Sequence, residues 1–319
     1  MTSRRDMLRA GLLMLLARRA AAATAGKDRM LTKPIPKTGE QLPVIGLGTY
    51  RTFDVSDSEY APLREVLQKF FEAGGRLIDS SPMYGRAEQV VGELTSTVAG
   101  KTAAPGGSES AASRAGQVRP FLATKVWTSG KDEGIAQMRR SMKLMQPQGG
   151  APFDLMQIHN LVDWRTQLAT LRAWKEAGRI RYLGITHYTS SAYPEVEAVL
   201  RAERLDFLQI NYSVEDRAAE RRVLPLAAER GVAVIVNLPF GGGGLLRGLL
   251  GKPLPPWAAE IGCTSWAQVL LKFVLSAPAV TCTIPGTRRR EHMEDNVHAG
   301  FGSVPAREYW NDKLAAIGQ

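Results

Sequence analysis

Arg76-Leu77-Ile78-Asp79-Ser80-Ser81-Pro82-Met83-Tyr84-Gly85 sets a two-residue apolar run, Leu77–Ile78, against Asp79 and a turn that carries Tyr84. A short apolar run bounded by polar or turn residues is the pattern of a strand buried on both faces. The pattern recurs downstream: FLATKVW (121–127) carries Lys125 near its end, and DLMQIH (154–159) ends at His159. Working outward, strands are expected at 44–50, 76–81, 121–126, 153–159, 181–187, 206–212, 232–238 and 280–285. Between them lie segments such as LREVLQKFFEAG and QLATLRAWKEAG, with apolar residues three and four apart and a close near Gly, Lys or Arg. That spacing is helical, and that ending suits a helix C-terminus. Eight alternating β–α units over about 250 residues predict an α/β fold, a single (β/α)8 TIM barrel. In such a barrel, polar residues at the C-terminal ends of successive strands converge on the face where chemistry is done.

Composition fits this reading. The chain has 319 residues, 44% hydrophobic and 23% charged, which is globular. The formal charge of +10 raises the question of nucleic acid. However, the first 25 residues hold five Arg and one Asp, a net of +4, and the remaining basic residues are scattered along helices. A solvated surface and no nucleic-acid partner are expected. Cys263 and Cys282 have no paired spacing, so they read as two buried free thiols rather than a disulfide or a metal site.

Two segments stand outside the barrel pattern. Residues 1–25 run from Arg4-Arg5 through the apolar AGLLMLLA to Ala23-Thr24-Ala25. A basic start, a short apolar core and an A-x-A end describe a signal peptide, too short for stable membrane insertion. The Arg pair resembles a twin-arginine export signal, which predicts transient contact with that machinery and a periplasmic or secreted protein. The alternative is a disordered basic tail on a cytoplasmic enzyme. The barrel domain is then 26–319. Residues 97–119 (TVAGKTAAPGGSESAASRAGQVR) lack large apolar groups and read as a flexible insertion on the face opposite the site.

The chemistry can be argued from the four polar residues. A Tyr phenol has an ordinary pKa of about 10, so Tyr84 is protonated at neutral pH and suited to general acid catalysis. A neighbouring ammonium, Lys125, is expected to lower that value. Asp79 would hold Lys125 charged, and neutral His159 would donate a hydrogen bond to a carbonyl oxygen and orient the substrate.

Seven motifs together resemble the aldo-keto reductase superfamily in order and spacing. They are IGLGTY (45–50), the Asp79–Gly85 turn quoted above, ATK (123–125), QIH (157–159), GITH (184–187), QINYS (209–213) and IPGTRRREHMEDN (284–296). The resemblance covers nearly the whole chain after residue 33. It implies a small-molecule carbonyl substrate, hydride from C4 of a nicotinamide, and the same roles for Asp79, Tyr84, Lys125 and His159. It also implies a cofactor set: Gly48 and Thr49, then Thr186, His187 and Gln209 at the carboxamide, then Asn237, Leu238, Phe240 and Gly241.

Two departures are visible. Thr186-His187 stands where the family has Ser-Asn, and Asn237 stands where an aromatic residue stacks on the nicotinamide ring. The amides of Gly241–Gly244 can cradle a pyrophosphate. Thr287 and Arg288 at a helix start predict NADPH over NADH, with Asn296 as the adenine contact. The loops Tyr50–Asp57, Trp127–Ser129, Asp163–Arg165 and Asn211–Arg217 are expected to line the substrate pocket. Two other functions share the fold: a catalytically weak cofactor-binding regulatory protein, which the intact tetrad argues against, and a phosphate-binding isomerase or lyase, which the Tyr–Lys pairing does not support.

Overall fold

A computed structural model describes residues 29–98 and 119–317. The leader expected at 1–25 and most of the segment at 97–119 lie outside the described residues; of the latter, Thr97 and Val98 end a helix and Arg119 precedes a strand. Among the described residues no helix is long and apolar enough to cross a membrane.

The first elements among the described residues form an antiparallel hairpin, β1 (Thr32–Pro34) and β2 (Gln41–Pro43). Eight parallel strands follow: β3 (Leu47–Gly48), β4 (Leu77–Asp79), β5 (Phe121–Val126), β6 (Phe153–Ile158), β7 (Ile180–Thr186), β8 (Phe207–Asn211), β9 (Ala233–Asn237) and β10 (Val280–Thr283). They pair in sequence order from β3 to β10. The seam between first and last is held by an Ile45–Thr283 bridge, with Gly46 N–H donating to the Thr283 carbonyl at 2.8 Å and Thr283 N–H to that of Val44 at 2.9 Å. The barrel is closed, as eight β–α units require. β3 is shorter than the 44–50 expected because its first half pairs across the seam instead of in the β3–β4 ladder.

Helices cover the outside, among them α1 (Tyr60–Glu72), α2 (Ala87–Val98), α3 (Lys131–Met145) and α4 (Trp164–Glu176). In α1 the residues three and four apart, Leu63, Val66, Leu67, Phe70 and Phe71, are buried against the barrel.

Side chains alternate across each strand. On β5, Phe121, Ala123 and Lys125 share one face while Leu122, Thr124 and Val126 share the other, where Leu122 and Val126 join the core under the helices. The barrel interior is a second, smaller core: Leu77, Phe121, Ala123, Leu155, Tyr182, Phe207, Ala233, Ile235, Cys282 and Ile284. Its lowest layer packs Phe121, Tyr182 and Phe207 with ring centroids 5.4–6.0 Å apart. Ile35 and Leu42 from the hairpin join this same core, so the hairpin stoppers the N-terminal mouth of the barrel.

The sequence alone gives no sign of the hairpin, since Pro34 and Pro36 in so short a run argue against a strand. It is tolerated because the pair is an isolated two-stranded sheet whose stability comes from burial, not from its ladder. Both cysteines are buried and free, as expected.

If the hairpin acts as a stopper, Leu42→Ala should destabilise the protein by about 2–5 kcal/mol, as for other fully buried leucines. Urea unfolding checks this; an unchanged midpoint would show that the hairpin is dispensable packing.

Candidate active site

The inward columns turn polar at the C-terminal end of the barrel. Above Leu77 stands Asp79, above Phe121 and Ala123 stands Lys125, above Leu155 stand Gln157 and His159, above Phe207 stands Gln209, and above Ala233 and Ile235 stands Asn237. Period two thus brings Asp79, Lys125, Gln157 and Gln209 together at the C-terminal end of the barrel. Above it opens a cleft of about 660 Å³ lined by Gly48, Thr49, Asp79, Tyr84, His159, Thr186 and Gln209, among others.

At the floor, Lys125 is fully buried and donates to Asp79 Oδ2 at 2.6 Å and to the Ser80 carbonyl at 2.7 Å. The other carboxylate oxygen of Asp79 accepts from the amides of Gln157 at 3.1 Å and Gln209 at 2.9 Å. Burial alone would push the Lys125 pKa down, yet the Asp79 carboxylate, with Tyr84 and Glu88 adding to it, outweighs burial and holds the ammonium above its ordinary value.

The Tyr84 ring lies beside this pair, its centroid 5.2 Å from Lys125 Nζ. Lys125 does lower the Tyr84 pKa, as expected, but the expected net lowering is corrected. Burial is the larger effect, Lys125 opposes it only in part, and the phenol sits above its ordinary value. Tyr84 is therefore firmly protonated in the free protein.

His159 meets the edge of the Tyr84 ring at 5.9 Å, and burial followed by the Lys125 charge pushes its pKa down to about 3. The imidazole is neutral, as expected. Its Nδ1 is 3.0 Å from Ser81 Oγ, which itself accepts from Met83 N–H at 3.3 Å. The Ser81 hydroxyl proton is thus free to go to Nδ1, leaving Nε2 as a donor toward the cleft.

The remaining expected residues divide. Thr186, Gln209, Asn237, Leu238, Phe240, Gly241, Gly48 and Thr49 line the cleft. His187 does not: its Nδ1 is taken by the N–H groups of Tyr188 (3.1 Å) and Thr189 (3.4 Å), its ring stacks on Tyr188, and Tyr188 lines the cleft instead. Gln209 spends its amide on Asp79. Asn237 donates to the His187 carbonyl at 3.0 Å, while its Oδ1 is buried with no protein partner.

At the expected phosphate end, Gly241 and Gly243 adopt φ of +58° and +77°, a turn open to glycine. Arg288 donates to the Thr52 carbonyl at 3.0 Å and lies 3.6 Å from Glu59, so it fastens the loop after β3. Thr287 is buried and accepts from Arg289 N–H at 3.0 Å; Asn296 is buried within the helix Arg290–His298 and is not a cleft residue.

Of the four loops expected to line the pocket, only Tyr50–Thr52 and Trp127 do so; 163–165 and 211–217 do not. Met83, Asn160, Tyr188 and the 284–286 segment take their place. Sequence reasoning misses Gln157, Ser81 and Met83. The signal for Gln157 is its place two residues before His159, hence on the same face of β6. Arg51, Asn160 and Leu238, all in the cleft wall, have φ of +60°, +52° and +48°, a conformation side chains resist. Backbone strain thus gathers around the cleft.

Comparison with known proteins bears on this geometry. Residues 44–309 match the model of the Aldo/keto reductase family. YrpG of Bacillus subtilis (strain 168), an uncharacterized oxidoreductase, is 25% identical over 304 residues, 82% of this chain and 89% of its own length. The NADH-specific methylglyoxal reductase of Escherichia coli (strain K12) is 33% identical over 93 residues, 29% of this chain and 27% of its own. Among solved structures, an aldo/keto reductase from Klebsiella pneumoniae in complex with NADP and acetate superposes with a TM-score of 0.67 at 22% identity, covering 88% of this chain and 91% of that one. The holo form of an aldo-keto reductase from Bacillus halodurans gives 0.68 at 20% identity, covering 91% and 96%. At these identities the likeness speaks for the barrel alone.

The neutral state of His159 has a measurable consequence. Its folded pKa lies below the unfolded value of about 6.5, so the unfolded chain takes up the proton first. The stability contributed by the neutral ring is whole above pH 6.5 and is lost as pH falls toward 3. NMR titration should show no His159 protonation between pH 8 and pH 5, and His159→Gln should flatten the acid limb of the stability curve. A midpoint near 6.5 for His159 would show that the ring is solvated.

Proposed function

Since this chain belongs to the aldo/keto reductase family and is an oxidoreductase, we propose that it reduces an aldehyde or ketone to the alcohol with NADPH, Tyr84 serving as the general acid. The observation that carries this reading is a protonated phenol beside a buried, charged Lys125–Asp79 pair at the floor of an open cleft. When bound, the nicotinamide would supply hydride from C4 to the carbonyl carbon.

The residues present fit that group. Thr186, Gln209 and Asn237 would surround the nicotinamide, the last with an acceptor that no protein donor meets, and the Gly241–Gly243 turn would face the pyrophosphate. The chain's own part is to bind and move a proton. Nε2–H of His159 donates to the substrate oxygen, and the Tyr84 hydroxyl donates its proton to the same oxygen as negative charge builds there. Burial alone would make the phenolate left on Tyr84 costly. The Lys125 ammonium offsets that cost, and it does so without moving because Asp79 and the Ser80 carbonyl hold it. Burial keeps the proton on Tyr84 until substrate arrives, and Lys125 eases its departure.

The substrate body is read from the cleft wall. Tyr50, Met83, Trp127, Tyr188 and Leu238 are 38–57% exposed, and all five line the cleft. A cluster of exposed apolar groups marks a binding surface, and the carbonyl compound it fits carries an aromatic or extended apolar group. Each roughly 55 Å² of apolar surface buried contributes about 1.4 kcal/mol, a factor of about ten. Benzaldehyde should accordingly exceed methylglyoxal in kcat/KM by about tenfold or more; the opposite order refutes the assignment.

Tyr84→Phe should lower turnover by about 10²–10⁴ with the NADPH Kd unchanged. NADPH oxidation followed at its absorbance band, with fluorescence titration for binding, checks both. Near-normal turnover by this variant would remove Tyr84 from the chemistry.

The NADPH assignment rests on Arg288, Arg289 and Arg290 at the start of the helix Arg290–His298, with side chains 45–67% exposed. Removing one charge-assisted contact costs about 1.5–3 kcal/mol. Arg289→Ala should therefore weaken NADPH binding by roughly ten- to a hundredfold and leave NADH untouched. Equal affinity of the native chain for the two dinucleotides would exclude a 2′-phosphate site.

A further inference from the structure

We propose that Glu88, which makes no contact with the cleft, is a positioning residue for the Tyr84–Lys125 pair; the proposal rests on the catalytic reading above. Glu88 is 3% exposed and lies in the first turn of α2, four residues after Tyr84. One carboxylate oxygen accepts from Thr124 Oγ1 at 2.5 Å and the other from Ser141 Oγ of α3 at 3.0 Å. Thr124 precedes Lys125 on β5, and strand alternation turns the Thr124 hydroxyl outward to the helices while Lys125 points into the barrel. One buried carboxylate therefore joins three elements: the helix that starts at the Tyr84 turn, the strand that carries Lys125, and α3.

The two ends of this tie differ in freedom. Lys125 is locked by Asp79 and the Ser80 carbonyl. Tyr84 sits in a turn continuous with α2: its N–H donates to the Ser81 carbonyl at 3.0 Å, and its own carbonyl accepts from Ala87 N–H at 3.2 Å. Where α2 begins is where Tyr84 stands. Packing alone does not call for a carboxylate here, since the neighbours Val90, Val91 and Leu94 are apolar and buried. Burying a carboxylate is unfavourable unless it is well hydrogen-bonded. Glu88 has its two hydroxyl donors, and the N-terminal turn of α2 favours an anion. A hydrogen-bonded tie has one geometry where an apolar contact has several. A misplacement of about 1 Å between reacting groups lowers rates by roughly a hundredfold, so this tie reaches the chemistry without touching it.

Three variants test the tie. Glu88→Gln keeps the shape and both hydrogen bonds, its oxygen accepting from Thr124 and its amide donating to Ser141. Glu88→Leu and Thr124→Val remove the tie while keeping volume. The measurements are kcat for an aromatic aldehyde, the NADPH Kd by fluorescence, and amide hydrogen exchange of peptides spanning 81–90 against those spanning 207–211. We expect kcat to fall roughly ten- to a hundredfold in the Leu and Val variants, with Kd unchanged, faster exchange confined to 81–90, and turnover retained by Glu88→Gln. Should Glu88→Leu not fold, Thr124→Val carries the same comparison. The proposal is overturned if the folded Leu and Val variants keep the native kcat and exchange, or if Glu88→Gln is as impaired as Glu88→Leu. A native protein that oxidises NADPH with no carbonyl compound would instead sink the catalytic reading, and the exchange comparison would still decide whether Glu88 holds the Tyr84 turn.

Discussion

Two opposite charges 2.6 Å apart, at the top of an otherwise apolar barrel, govern the rest of this structure. Burying either alone would cost several kcal/mol, and removing one partner of such a pair typically destabilises by about 3–5 kcal/mol. The surroundings show what that demands. The Asp79 carboxylate is completed by amides from Gln157 and Gln209, and the Lys125 ammonium by the Ser80 carbonyl. Four strands thus contribute to one ion pair. Because these partners come from fixed strand ends, the pair is held by the barrel rather than by flexible side chains. Replacement by apolar residues of similar volume would be easier to fold; retaining the charges places a fixed ammonium beside a phenol.

That ammonium sits where two influences on Tyr84 compete. Burial raises the phenol and Lys125 lowers it, with burial the larger in the free protein. A phenol only partly relieved by its neighbour keeps its proton at neutral pH and still leaves a compensated anion once the proton has gone. Neutral His159, depressed by the same burial and the same Lys125 charge, complements it as a donor that does not compete for the role of acid. Burial therefore sets the state of both groups around the substrate oxygen, and one buried cation acts on both.

Most of this chemistry is legible in the chain, for a definite reason. Asp79, Lys125 and His159 each end a short apolar run, and a period of two places every second residue of such a run inside a closed barrel. Tyr84 is legible from its turn. The shift of the Tyr84 pKa is not, because its direction depends on how much burial outweighs a nearby charge, and local sequence carries no measure of either. Arg288 reads as a phosphate ligand from its place at a helix start. In the structure it also donates to the backbone of the loop after β3, a partner more than two hundred residues away in sequence. Position puts His187 in the cleft, but its ring nitrogen is drawn off by the two amides that follow it.

The chain by itself determined the barrel, its eight strands and which side chains face inward, since hydrophobic periodicity is a local property that survives any choice of neighbours. It also determined the residue types available for proton transfer. Only the tertiary structure decided which of them meet. The hairpin closing the barrel floor, the Gln157 and Gln209 amides on Asp79, the apolar cleft wall and the buried tie from Glu88 to Thr124 all join residues remote in sequence. Their energies depend on distance and burial in three dimensions, and neither quantity exists until the chain has closed on itself.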